Sequence, residues 1–138
     1  MGISAQFGFQ SAYTRPADCT VAEEVGDFVY ISGDRVAGKD QVRKAIPSND
    51  AKVPAIGVII SKPTTTTCVV QWDGETPSIF SGLTTGKTCY LGSNSKVATK
   101  PPTSLTGMIT QIVGVAVDND TLYLDMDSTL VKTYEPAP

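Results

Sequence analysis

The 138-residue chain is 41% hydrophobic and 18% charged, which suits one globular domain with a core and excludes a disordered, collagen-like or membrane-spanning chain. Eleven Lys and Arg against fourteen Asp and Glu leave a net charge of -3, which disfavours a nucleic-acid partner. Histidine is absent, so Ser-His and Cys-His nucleophile pairs, His-ligated zinc and imidazole acid–base chemistry are excluded, and no enzyme activity or cofactor is expected.

From the N-terminus, residues 1–18 (MGISAQFGFQSAYTRPAD) place Phe7, Phe9 and Tyr13 among Gly, Ser and Gln without periodicity. They read as an arm that docks its aromatics on a partner subunit, or as a strand or loop covering the domain's own core. No basic segment followed by an apolar run opens the chain, and no run approaches the roughly 18 apolar residues of a membrane helix, so neither a secretion signal nor a membrane partner is expected.

Residues 19–130 form the expected β domain. Twelve Gly and nine Pro punctuate short Val-, Ile-, Thr- and Tyr-rich runs, which predict strands over 28–32, 41–46, 55–61, 65–72, 76–81, 87–91, 108–117 and 121–126. Eight short strands suggest an all-β barrel or sandwich. The 55–61 and 65–72 runs should pair through Lys62-Pro63, and the 108–117 and 121–126 runs through Asp118-Asn119-Asp120. In the last run Leu122, Leu124 and Met126 alternate with Tyr123, Asp125 and Asp127, as in a strand with one wet face. Residues 131–138 read as a C-terminal tail, because Glu135-Pro136-Ala137-Pro138 cannot pair in a sheet interior.

The two predicted hairpins look like copies. GDFVYISGDRV, PAIGVIIS and TTTTCVVQW are echoed by GKTCYLGSNSKV, QIVGVAV and DTLYLDM, matching Gly26 with Gly86, Tyr30 with Tyr90 and Gly57 with Gly114. Two readings stand: an internal duplication whose halves share one barrel-like core, or the chance similarity of short β patterns.

Strings that imitate sites are weak. Gly82–Thr88 (GLTTGKT) has three residues between its glycines where a phosphate loop needs four, and a strand follows where that loop needs a helix. Ser93-Asn94-Ser95-Lys96 fits S-x-x-K within a turn-rich stretch. Asp118, Asp120, Asp125 and Asp127 offer oxygens to a hard cation, yet two of them sit in a turn where carboxylates cap their own backbone, so no metal is expected. Cys19, Cys68 and Cys89, odd in number and widely spaced, read as buried small hydrophobes, and Trp72 reads as the lid of a core.

The segment LTTGKTCYLGSNSKVATKPPTSLTGMITQIVGVAVDNDTLYLDMD is similar to a module of tailed-bacteriophage virion proteins, through Leu83, Thr84, Gly86, Tyr90, Leu91, Pro101, Pro102, Gly107, Ile109, Gln111, Val113, Gly114, Ala116, Thr121 and Leu122. Cys89 stands where that pattern has its other tyrosine. Upstream, GDFVYISGD and VPAIGVIIS resemble the signature of small phage head decoration (cement) proteins. The resemblance implies a virion protein made in the host cytoplasm. Its partner would be the major capsid protein, which a homotrimer would bridge on the outer head surface while Phe7, Phe9 and Tyr13 anchor the arm. The alternative it leaves open is a tail fibre or adhesin module that binds a host-surface glycan or protein.

Overall fold

The computed structural model describes residues 12–102 and 108–126 and the backbone of Val131–Lys132. In chain order it has β1 (Thr14–Asp18), β2 (Phe28–Val36), β3 (Lys39–Lys44), a 3-10 turn (Asp50–Lys52), β4 (Gly57–Thr64), β5 (Thr67–Gln71), β6 (Asp73–Glu75), β7 (Thr88–Leu91), β8 (Val97–Ala98), β9 (Ile109–Thr110), β10 (Ile112–Asp118), β11 (Thr121–Asp125) and β12 (Val131–Lys132). The all-β class read from the sequence is the class observed.

The first half closes on itself. Strands run β1-β3-β2-β4-β5, and β5 returns to β1 to complete a barrel. The second half orders its strands β6-β11-β10-β7-β8, which is the first half's circuit β1-β5-β4-β2-β3 with one seam left open. The likeness extends to single hydrogen bonds. Gly26 N donates to Ile59 O at 2.8 Å and Gly86 N to Ala116 O at 2.7 Å, while Ile59 N donates to Asp27 O and Ala116 N to Lys87 O, both at 3.0 Å. Gly26 and Gly86 turn the chain with φ of 93° and 84°, a region where a side chain is costly. The glycines matched in the sequence therefore hold equivalent places in two copies of one motif.

The halves do not share a single barrel-like core, as the duplication reading expected; the described residues form two cores. Ala17, Cys19, Val29, Val42, Ile59, Cys68 and Val70 fill the barrel, with Trp72 and Ile56 against them. A second core lies between the halves, where Phe28, Ala45, Ala55 and Val58 meet Leu83, Cys89, Leu91, Val113, Ala116, Leu122 and Leu124. Neighbours in β2 and β4 serve opposite cores, because successive strand residues point to opposite faces: Phe28 and Val58 outward, Val29 and Ile59 inward. Gln111, fully buried, ties the halves by accepting from Ala55 N at 2.8 Å and donating to Ala55 O at 2.9 Å.

Several boundaries differ from expectation. Val131 and Lys132, assigned to the tail, form β12, which pairs antiparallel with β9 through Val131 opposite Thr110 and Lys132 opposite Ile109. Residues 14–18, assigned to the arm, are barrel strand β1, whose five residues pair with β5 although in TRPAD only Thr14 favours a strand and Pro, Ala and Asp disfavour one. Ladder hydrogen bonds supply what the local propensity lacks. Residues 76–81 are not a strand: Thr76 N reaches Leu122 O, Pro77 has no N–H to extend the ladder, and Ile79 and Phe80 then cover the inter-half core. Phe80 stacks on Phe28 with centroids 6.3 Å apart. The β4–β5 hairpin turns at Thr65-Thr66, two residues beyond Lys62-Pro63, with Thr64 opposite Thr67. Asn119-Asp120 turns the β10–β11 hairpin as expected, and Leu122 and Leu124 are buried between exposed Tyr123 and Asp125.

The parallel β1–β3 seam carries a charge cluster. Asp40 lies opposite Ala17, and its two oxygens accept from Arg15 Nε and Arg35 Nε, each at 2.7 Å. Burial works to raise the Asp40 pKa, but the two guanidiniums outweigh it and hold the carboxyl below its ordinary value. A depressed carboxylate adds stability that is complete above the unfolded value of about 3.9 and is lost as pH falls through the lower folded value. Asp40→Asn is therefore expected to melt at a lower temperature at neutral pH and to lose less on acidification below about pH 4 than the wild type, as thermal melts across pH would read.

Candidate functional site

Of the three expected anchors, Phe7 and Phe9 lie outside the described residues. Tyr13 lies at the entrance to β1, half-exposed. Its carbonyl accepts from Trp72 N at 2.8 Å, its N–H donates to Asp73 Oδ1 at 3.0 Å, and its hydroxyl accepts from Arg15 Nη1 at 3.2 Å. The rings of Tyr13 and Trp72 meet edge-to-face with centroids 6.1 Å apart. Tyr13 thus extends the β1–β5 ladder by one step and, at least in part, covers this chain's own barrel.

Beside this corner is a hollow of about 280 Å³ lined by Pro54, Ile56, Trp72, Asp73, Asp125 and Met126. The register of β6 against β11 sets Asp73 directly opposite Asp125. Trp72 is the expected lid of the barrel core, but it also forms a wall of the hollow. Sequence reading did not join Asp73 to Asp125, since 52 positions separate them and only strand pairing brings them together.

The outer face of the second sheet is a second feature. Val115 lies opposite Tyr123 on β11 and opposite Thr88 on β7, and Ile112 lies opposite Tyr90. Tyr123 is 47% exposed, Val117 42%, Val115 39% and Ile112 37%, so the adjacent strands β10 and β11 present an apolar surface to solvent.

The other strings resolve into structure. Thr85-Gly86 is the turn that enters β7. Lys96 of the S-x-x-K string is held by Asp27 Oδ1 at 2.6 Å and Glu24 Oε1 at 3.1 Å. Asp118 accepts from Asn119 N at 2.7 Å and so caps the backbone of its own turn, Asp120 accepts from the Thr121 side-chain hydroxyl at 2.8 Å, Asp125 lies at the far end of β11, and Asp127 is outside the described residues. No group of three or more metal-ligating side chains occurs among the described residues. Cys19, Cys68 and Cys89 are free and buried, and burial, then Cys19 alongside, push the Cys68 thiol up and away from reactive thiolate. No helix among the described residues is long and apolar enough to cross a membrane. Compared with protein-family models, curated proteins and solved structures, the chain matches none.

Proposed function

We propose that this protein is a bacteriophage head decoration protein that binds the outer capsid surface and stabilises the head by bridging major capsid subunits. The observation that supports the reading is the apolar outer face of β11 and β10: Tyr123, Val115, Val117 and Ile112 offer contact area to a partner surface. A decoration protein acts in many copies, so modest contacts multiplied over a lattice suffice. Copies clustered in threes would set their arms across neighbouring capsid subunits, with Phe7 and Phe9 as further anchors.

Because β1 begins at Thr14, the arm is tested by removing residues 1–11 only. The truncated protein is expected to keep the far-ultraviolet circular dichroism and melting temperature of the full chain while losing co-sedimentation with undecorated heads. Full binding by the truncated protein would sink the arm's role. Gold-labelled antibody on phage particles that carry the gene tests location: label over the heads supports decoration. Label at the tail tip supports a fibre or adhesin module instead, a reading favoured by the aromatic and carboxylate hollow at Trp72.

A further inference from the structure

The hollow at Trp72 has a chemistry that the apolar face lacks. Asp73 and Asp125 face each other across neighbouring strands, an arrangement in which like charges repel. Asp73 accepts one backbone N–H, from Tyr13, and among the described residues neither carboxylate has a Lys or Arg within ion-pair distance. Elsewhere in the same molecule acidic side chains do have such partners: Asp40 has Arg15 and Arg35, Asp27 has Lys96. The opposed pair is therefore a local excess of negative charge at the rim of a partly apolar hollow, with Ile56, Pro54 and Met126 beside it.

We infer that the hollow receives an arginine side chain from a partner protein. The guanidinium sits against the two carboxylates and relieves their repulsion, its plane lies on the Trp72 ring, and its methylenes run along Ile56 and Met126. Arginine fits better than lysine because a planar fork of donors serves two carboxylates and an aromatic face at once, whereas an ammonium is a compact, strongly hydrated point charge. A neutral sugar could stack on Trp72 but would leave the carboxylate repulsion in place. This inference rests on the hollow alone and holds wherever the partner lies.

Trp72 is the one tryptophan of the chain, so its emission reports on this hollow without interference. The full-length protein is titrated with the peptide Gly-Ser-Gly-Arg-Gly-Ser-Gly, with the same peptide carrying citrulline for arginine, and with a neutral maltotriose. The arginine peptide is expected to shift Trp72 emission saturably below about 50 mM, and the citrulline peptide to bind about tenfold or more weakly. Asp125→Asn, an exposed position, is expected to weaken the arginine peptide about fivefold or more while the melting temperature holds or rises, because the repulsion is gone. A merely structural Asp125 would not separate binding from stability in that way. The inference is overturned by an absent arginine response, by equal responses to arginine and citrulline, by unchanged affinity in Asp125→Asn, or by a stronger response to maltotriose, which would assign the hollow to a saccharide.

Discussion

Gly114→Ala is expected to lower stability by about 3 kcal/mol or more, a fall of ~10 °C in melting temperature. A methyl group at Gly114 would lie 2.2 Å from Tyr123 O and 3.1 Å from the Tyr123 carbonyl carbon, atoms of the paired strand that cannot swing aside as a side chain can. Gly57 holds the equivalent place in the barrel, where a methyl would meet Gln71 O at 2.4 Å and Val70 Cγ1 at 2.7 Å, so Gly57→Ala should cost a similar amount. In both halves the missing side chain lets one strand press against its partner's backbone two residues before the carbonyl that anchors the Gly26 or Gly86 turn. Gly33→Ala is the control, because nothing lies within 4 Å of its added methyl, and it should stay within about 0.5 kcal/mol of wild type. Urea denaturation of the three variants measures this, and a Gly114→Ala protein as stable as Gly33→Ala would refute the close approach.

The second large effect is expected at Asp27, whose side chain has no exposed surface. Its Oδ1 pairs with Lys96 Nζ at 2.6 Å, its Oδ2 accepts from Glu24 N at 2.8 Å, and Lys44 Nζ stands off at 3.9 Å. Lys96→Met leaves the carboxylate buried with the distant Lys44 alone and should cost about 3 kcal/mol. Asp27→Asn combined with Lys96→Met should recover much of that loss, because the uncompensated charge goes with its partner. Burial works to lower the Lys96 pKa, but hydrogen bonds to Asp27 and Glu24 outweigh it and raise it above the ordinary lysine value. A raised lysine gives stability that is complete below the unfolded pKa of about 10.4 and disappears as pH climbs through the higher folded value. The wild type should therefore lose stability above about pH 10 more steeply than Lys96→Met, which denaturation at pH 8 and pH 11 would compare.

Much of the fold was legible because it is written in local chemistry. Alternation at Leu122, Tyr123, Leu124 and Asp125 marks a strand with one wet face, and the Asn119-Asp120 turn joins it to β10 as read. The paired glycines pointed to the duplication, since a close backbone approach or a positive φ restricts a position to glycine wherever the motif is repeated. The errors fall where tertiary contacts overrule propensity. TRPAD is a strand because β5 and β3 flank it, and the apolar pair Ile79-Phe80 belongs to a covering loop because Pro77 ends the ladder ahead of it.

The candidate site was less legible than the fold. In the sequence Trp72 reads as a core lid and Tyr13 as an arm anchor, whereas their edge-to-face contact follows from the β1–β5 register running one residue past the strand ends. Along the chain Asp125 stands near Asp118 and Asp120, whereas across the sheet it lies opposite Asp73.

By itself the amino-acid sequence determined the β class, the Asn119-Asp120 turn, the glycine pairs that are compatible with a doubled motif, and the exclusion of histidine chemistry, because each of these depends on residue type or on spacing along one strand. Tertiary structure alone decided that one half closes while the other stays open, that two cores exist where one was expected, that Asp27 takes Lys96 as its partner, and that Asp73 meets Asp125 beside Trp72. Those features depend on which strands pair and in what register, a choice made by the burial of whole faces and by ladder hydrogen bonds between segments far apart in the chain.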